Sequence, residues 1–209
     1  MPFFFDLAHF WGYVPLYRCM VQMIGNLPVF RAIMEDDCDG VQLVSLVDDP
    51  AIERNFITLS ADRVVVQLAD EARRLVTGPL LIPDFPIYRR HPQLGEFYMV
   101  WDKETIEEIA RQMFRDNSRF VNIMHEEGIV TGIEMQELYI KDSSRSISPQ
   151  TFDDVPDGSL FVTYHITNDG LWQMVTDGTF KGFSLEGVFA LDLTRDEALK
   201  MWNIVKNIQ

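Results

Sequence analysis

The sequence predicts an α+β domain that is rich in β-strands, with a closed or half-closed β-barrel at its centre. Many short apolar runs are separated by turn residues, as in folds built from short strands. Amphipathic helical patterns are confined to two or three segments. No internal repeat or low-complexity tract is present. Many strands with few helices are typical of an antiparallel or mixed sheet that closes on itself.

Strand-forming runs dominate the first half of the chain. The run VQLVSLV at 41–47 predicts a buried strand, which Asp-Asp-Pro closes. The segment 63–84 predicts two strands around a polar turn near Asp70, with Pro83 ending the second, because its valine run favours a strand over a helix. A further strand is predicted for GEFYMVW at 95–101.

The clearest helix is DKETIEEIARQMFRDN at 102–117. Asp102 is a suitable N-cap, and Ile106, Ile109, Met113 and Phe114 form an apolar stripe. A short helix that opens at Thr167 or Asn168 and a terminal helix at 193–207 are also predicted. The strands predicted between these helices are RFVNIMH at 119–125, the run at 128–142, SLFVTYHI at 159–166 and the run at 181–189.

Charge and hydropathy limit the classes of partner. The net charge is −14, and no run of Lys and Arg occurs, which argues against a nucleic-acid-binding surface. No stretch of 18 apolar residues is uninterrupted, so no membrane-spanning helix is predicted. We interpret residues 1–28 as a peripheral segment and residues 29–209 as the main domain.

A serine at the centre of TFKGFSLEGVF (179–189) is the candidate nucleophile. Ser184 lies between Gly182 and Gly187, and glycine within a strand often marks a close approach by another backbone. A nucleophilic serine needs a base, and His125 follows a strand at its junction with a turn, where a rigid element delivers a side chain to a cleft. From the residues alone, a core serine and a surface histidine are the favoured interpretation.

The remaining histidines offer weaker chemistry. His9 lies in the N-terminal segment, His91 lies in a predicted loop, and His165 lies near the end of an apolar strand. His91, His125 and His165 could serve as metal ligands together with carboxylates, but no H-x-H or H-x-x-x-H spacing occurs. The sequence therefore predicts no cofactor, and a metal-dependent hydrolase is a weaker alternative.

Several segments together resemble one family. They are VSLVDDPAIERNF, TGPLLIPDFPIYRR, WDKETIEEIARQMF, VNIMHEEG, MQELYIKDS, PDGSLFVTYHI and KGFSLEGVF. In this order they resemble the XkdF-like serine proteases of tailed bacteriophages, over about residues 29 to 191. That family is similar to the prohead proteases and, in fold, to the herpesvirus assemblins. The resemblance implies a β-barrel ringed by helices, with serine and histidine on adjacent strands.

The resemblance implies roles for two residues and leaves a third open. It implies that Ser184 is the nucleophile and His125 the base. The acidic residue of the related pattern L-x-E-x-S-L-V-x-x-P-A falls on Leu43, and the pattern lies before the serine rather than after it. We therefore hypothesise a circular permutation in which the 41–47 strand lies in the same sheet as the 181–189 strand.

The third catalytic member is expected to be Glu137, with Asp48 as the alternative. A dyad oriented by water or a backbone carbonyl remains open. Glu186 shares the strand face of Ser184 and is interpreted as lining the cleft. The loop at 48–54 is the candidate for the oxyanion hole.

The implied function is maturation of phage proheads. The substrates would be scaffold and major capsid proteins, cleaved through an acyl-enzyme inside the procapsid in the host cytoplasm. No nucleic-acid or membrane partner is predicted, and self-association is allowed. The alternative is a catalytically inactive procapsid or scaffold component with the same fold.

Overall fold

The computed structural model describes residues 22–36, 38–51, 67–70, 73–91 and 94–193. Over these residues the protein is a mixed α+β structure, with twelve strands in three sheets and two α-helices. No helix in the described ranges is both long and apolar enough to cross a membrane. The helix predicted at 193–207 and most of the peripheral segment 1–28 lie outside the described residues.

The largest sheet has five strands. In order, β1, β2, β7 and β6 lie side by side, and β12 also pairs with β2. Most pairs are antiparallel, but β2 and β7 run parallel. The bounds are β1 Gln22–Ile24, β2 Leu27–Ile33, β6 Ile87–His91, β7 Gly95–Val100 and β12 Ala190–Asp192.

The second sheet has the order β4, β5, β10, β9, with every pair antiparallel. Every residue of β5 is buried, and six of the seven in β10 are buried as well, so these strands form the centre of the molecule. The predicted turn near Asp70 is confirmed, because β4 ends there and β5 follows. The bounds are β4 Gln67–Asp70, β5 Leu75–Leu81, β9 Ile133–Ile140 and β10 Leu160–Ile166.

The third sheet has three strands in the order β11, β3, β8. These are β3 Gly40–Val47, β8 Val121–Ile123 and β11 Gly182–Val188. The ladder between β11 and β3 is antiparallel, and the ladder between β3 and β8 is parallel. The expectation that the 41–47 and 181–189 strands share a sheet is therefore confirmed, and the two strands are direct neighbours.

Side-chain caps define the two helices. Helix α1, Lys103–Arg115, begins after Asp102, whose carboxylate accepts a hydrogen bond from the Thr105 backbone N–H at 2.8 Å. Helix α2, Asp169–Thr176, begins after Asn168, whose side chain accepts one from the Leu171 backbone N–H. Both beginnings match the sequence prediction, because an Asp or Asn side chain satisfies an otherwise unpaired N–H of the first turn.

The expectation of a closed barrel is wrong for the described residues, because the three sheets stay separate. Side-chain packing rather than a hydrogen-bonded ladder joins them: Phe183 of β11 lies against Tyr164 of β10, with ring centroids 5.3 Å apart. Trp101 and Phe189 make a similar edge contact at 5.5 Å. These four rings belong to one apolar core, which all three sheets and both helices contribute to.

A buried lysine holds the long loop between β9 and β10. Lys141 is only 3% exposed. Its ammonium donates to the backbone carbonyls of Phe152 at 2.8 Å, Asp153 at 3.2 Å and Val155. All three ammonium protons therefore have backbone acceptors, which fixes the path of the loop at 149–157.

Candidate active site

A row of polar side chains crosses the three-stranded sheet. Ser184 of β11 pairs directly with Ser45 of β3, and Ser45 pairs with Asn122 of β8. Residues directly opposite each other on neighbouring strands project from the same face. The alternate residues, such as Phe183 and Leu46, point into the apolar core. The polar row therefore lies on the face of this sheet that is turned away from the core.

A strained turn delivers His125 to this face. The chain reverses directly after β8, and the Glu126 N–H donates to the Ile123 carbonyl at 2.9 Å. The two central residues of this turn, Met124 and His125, have φ values of +53° and +59°. Turns of this I′ kind normally use Asn-Gly, because other side chains crowd the left-handed region. Such strain persists where the surrounding structure holds it, and it clusters at functional sites.

Three polar groups of the site lie within hydrogen-bond distance of one carboxylate oxygen of Glu186. Its Oε1 lies 2.6 Å from Asn122 Nδ2, 2.7 Å from Ser45 Oγ and 2.9 Å from His125 Nδ1. The side chain is about one-third exposed, and that of His125 is about half exposed. One carboxylate oxygen of β11 thus contacts polar groups from β3, from β8 and from the turn after β8.

The hydrogen bonds decide the charge of Glu186 and the tautomer of His125. Burial raises the pKa of Glu186, but the bonds from Asn122, Ser45 and His125 lower it more, so the net pKa lies below its ordinary value. An ionised carboxylate only accepts hydrogen bonds, so His125 Nδ1 must carry the proton. His125 Nε2 is then the basic nitrogen. This is the relation between acid and base in a serine hydrolase triad.

Ser45 touches the histidine at the wrong nitrogen for a nucleophile. Its Oγ is 3.0 Å from His125 Nδ1, the atom that also binds Glu186. The hydroxyl is fully buried, and its single proton can be donated to Glu186 Oε1 or to Asn122 Oδ1, one at a time. A nucleophile has to give its proton to the lone pair at Nε2 and has to reach the substrate. Ser45 meets neither requirement.

Ser184 is the remaining hydroxyl of the row, and it is half-buried. It lies one cross-strand pair from Ser45, which corresponds to about 5 Å between Cβ atoms. The expectation that Ser184 and His125 occupy adjacent strands is wrong, because β3 separates β11 from β8. The two described side chains share a face but form no hydrogen bond with each other.

The structure places the expected acids away from His125. Glu137 lies on β9 in another sheet, where its carboxylate accepts a hydrogen bond from Thr163 Oγ1 at 2.7 Å. Asp48 is exposed in the bend after β3. The acid beside His125 is Glu186. In the β11–β3 register, Glu186 lies directly opposite Leu43, the position to which the sequence pattern assigned the acid. The carboxylate therefore comes from the neighbouring strand, on the same face of the sheet and two residues along β11 from Ser184.

The other two histidines that the structure describes lie in other sheets. His91 ends β6 and accepts a hydrogen bond from the Leu94 N–H, His165 lies on β10, and His9 is outside the described residues. Across the described ranges, no group of three or more His, Cys, Asp or Glu side chains is arranged to hold a metal ion. Of the loop expected to form an oxyanion hole, residues 52–54 lie outside the description.

Two site residues carried weak signals in the sequence. Asn122 is an amide in the apolar run FVNIM, and Ser45 is a hydroxyl in LVSLV. A buried polar side chain in such a run needs a hydrogen-bond partner. This requirement was the signal that could have marked both residues as part of a polar site. Their partner could not be inferred, because it depends on the strand order β11, β3, β8.

The comparison with protein families gives one match. The family model described as "Putative phage serine protease XkdF" matches residues 63–191, which is more than half of the 209 residues. The matched range includes His125, Ser184 and Glu186 and begins after Ser45. Neither the curated proteins nor the solved structures yielded a match.

Proposed function

Because the chain belongs to the XkdF family of phage serine proteases, we propose that it is a serine peptidase with Ser184 as nucleophile and His125 as general base. Glu186 is the acid that orients His125. The observation that carries the proposal is the 2.9 Å contact between Glu186 Oε1 and His125 Nδ1 on the face where Ser184 lies. This contact leaves Nε2 as the base for a neighbouring hydroxyl.

The reaction is acyl transfer in two steps. Ser184 Oγ forms a bond to the peptide carbonyl carbon while its proton passes to His125 Nε2. The C–N bond then breaks, and His125 gives that proton to the leaving amine. Water, deprotonated by His125, attacks the resulting ester, and Ser184 recovers its proton. Glu186 stays ionised throughout and stabilises the imidazolium that forms in each step.

In the phage, the proposed role is prohead maturation. The substrates are scaffold and major capsid proteins, and the protein acts inside the procapsid in the host cytoplasm. The assemblin-like fold and the circular permutation remain part of this proposal. The pairing of β3 with β11 supports the permutation, since it brings an N-terminal strand beside the serine strand.

Active-site labelling tests the proposal directly. A fluorophosphonate should modify the parent protein, and mass spectrometry should locate the adduct on Ser184. Ser184→Ala should abolish labelling and leave uncleaved scaffold or capsid protein in proheads. Its stability cost should be small, about 1 kcal/mol or less. The matched control is Ser159→Ala, which deletes another serine hydroxyl, one that donates to the Pro156 carbonyl three residues earlier.

Two outcomes would refute the assignment. An adduct on Ser45 would show that the buried hydroxyl is the nucleophile. Maturation of particles by Ser184→Ala at the parent rate would show that Ser184 has no chemical role. The Ser159→Ala control should keep the parent labelling rate.

A non-enzymatic procapsid component is the second candidate. The observation that favours it is the missing hydrogen bond between Ser184 and His125. Hydrogen bonds of this kind are often long in a free enzyme and tighten when substrate binds, so geometry alone does not decide. The discriminating measurement is labelling within assembling proheads: a fully unreactive Ser184 in particles that mature normally would favour the structural role.

A further inference from the structure

Beneath the proposed site lies a pair of polar side chains that the apolar packing does not require. Ser45 is fully buried and Asn122 is 2% exposed. Burying a hydroxyl and an amide without hydrogen-bond partners destabilises the folded state. The neighbours of this pair along the strands, Val44, Leu46 and Val121, belong to the apolar core. These two polar groups therefore call for a specific explanation.

The polar atoms of the pair point to the acid and to the turn that carries the base. Asn122 Nδ2 donates to Glu186 Oε1 at 2.6 Å and to the Glu126 carbonyl at 3.2 Å. Glu126 is the last residue of the strained turn, so one amide group ties the carboxylate to the turn of His125. Ser45 Oγ lies between the two catalytic partners, 2.7 Å from Glu186 Oε1 and 3.0 Å from His125 Nδ1.

We propose that Ser45 and Asn122 are positioning residues that keep Glu186 ionised and hold His125 in the tautomer protonated at Nδ1. Neither residue touches the reacting atoms. Together they fix the place of Oε1, and Asn122 also fixes the turn. Whether this geometry then serves peptide hydrolysis rests on the proposed function, but the geometric role itself does not.

The pKa of Glu186 supports this reading. Burial, the largest influence, raises it, and the strongest opposing influences are the hydrogen bonds from Asn122 and then from Ser45. His125 lowers the pKa of Glu186 as well, both by its hydrogen bond and by charge. Removing either polar partner should therefore let the pKa of Glu186 rise.

The test is a nuclear magnetic resonance titration that needs no activity. The ¹³C signal of the Glu186 carboxyl reports its pKa, and the ¹⁵N signals of His125 report which ring nitrogen carries the proton. The variants are Ser45→Ala, which deletes one hydroxyl, and Asn122→Leu, which keeps the branching of the side chain but has no amide. Ser45→Thr retains the hydroxyl and should restore the parent values.

The matched control is Thr163→Val. Thr163 is also buried and also donates to a carboxylate at 2.7 Å, but that carboxylate is Glu137 in another sheet. The Thr163→Val substitution removes a hydrogen bond from a hydroxyl to a carboxylate, at the same distance as the bond from Ser45 to Glu186. The control should leave the Glu186 and His125 signals unchanged.

The proposal predicts a higher pKa for Glu186 and a smaller Nδ1–H fraction of His125 in both variants. It also predicts a loss on the order of 10²-fold in the fluorophosphonate labelling rate, as for other small misplacements of catalytic groups. Unchanged signals in folded Ser45→Ala and Asn122→Leu would overturn it, even if the protein is an active protease. Shifted signals would uphold it even if Ser184 proves unreactive, in which case the proposed function fails alone.

Discussion

Replacing Glu186 by glutamine separates the role of its charge from the role of its shape. The amide is nearly isosteric with the carboxylate, and its oxygen can still accept hydrogen bonds from Asn122 and Ser45. What Glu186→Gln removes is the negative charge beside the imidazolium that forms during acylation. We therefore expect the fold to persist and the rate of acylation to fall.

The magnitude follows from the distance and the exposure. With Nδ1 and Oε1 2.9 Å apart, the charge centres are about 4 Å apart. At that separation a pair of unit charges interacts by about 4 kcal/mol near a protein surface and about 1 kcal/mol in bulk water. Because His125 is about half exposed and Glu186 about one-third exposed, screening places the contribution at about 2–3 kcal/mol. This corresponds to a rate loss of roughly 30- to 150-fold.

The assay is the second-order rate of fluorophosphonate labelling at neutral pH. The matched control is Glu137→Gln, which removes the charge of the acid that was expected from the sequence to be the third catalytic member. We expect the control to label at the parent rate. A parent rate for Glu186→Gln, or a larger loss for Glu137→Gln, would refute the assignment of Glu186 as the orienting acid.

Three further predictions concern stability. Met124→Asn should raise the free energy of unfolding by about 1 kcal/mol, or roughly 2–4 °C in Tm, because asparagine tolerates the φ of +53° better than methionine; an unchanged or lower Tm in thermal unfolding would argue against strain in this turn. The stability difference between the parent and Glu186→Gln should depend on pH. Since the folded pKa lies below the ordinary 4.5, the contribution of Glu186 is present above pH 4.5 and is lost as the pH falls through the folded pKa; a difference that grows under acid conditions would contradict the sign. Lys141→Met should cost about 3 kcal/mol in urea unfolding, because it leaves the carbonyls that Lys141 binds, among them those of Phe152 and Val155, without its protons; a cost below about 1 kcal/mol would show that the loop is held by other contacts.

Local signals predicted the elements of the fold well. Asp102 and Asn168 cap their helices as expected, because a cap depends on residues that are adjacent in sequence. The pairing of β3 with β11 was also predicted, although it rests on a family pattern rather than on local physics. The expected barrel does not form among the described residues. Whether sheets close could not be predicted, since closure depends on long-range registers that short apolar runs do not encode.

The acid was missed for a similar reason. Sequence reasoning placed Glu186 on the face of Ser184 but judged it too close to serve that serine. The structure shows that its long side chain reaches across β3 to His125, in the turn that follows the far strand, β8. Glu137 was expected to be the catalytic acid. Its strand belongs to a different sheet, however, and its carboxylate accepts a hydrogen bond from Thr163. Side-chain reach across a sheet can be judged only once the strand order is known.

The dispersal of the site along the chain has a consequence for the timing of activity. Ser45 and Glu186 are 141 positions apart, and His125 stands between them in sequence. Contacts at such separations form late in folding, because the loop entropy must be overcome before they contribute. During synthesis, β3 and β8 leave the ribosome well before β11, so under the proposed function a nascent chain would have the base without its acid or its nucleophile. Proteolytic competence would then begin only when β11 has docked beside β3, which would protect neighbouring polypeptides from a protease that is still being made.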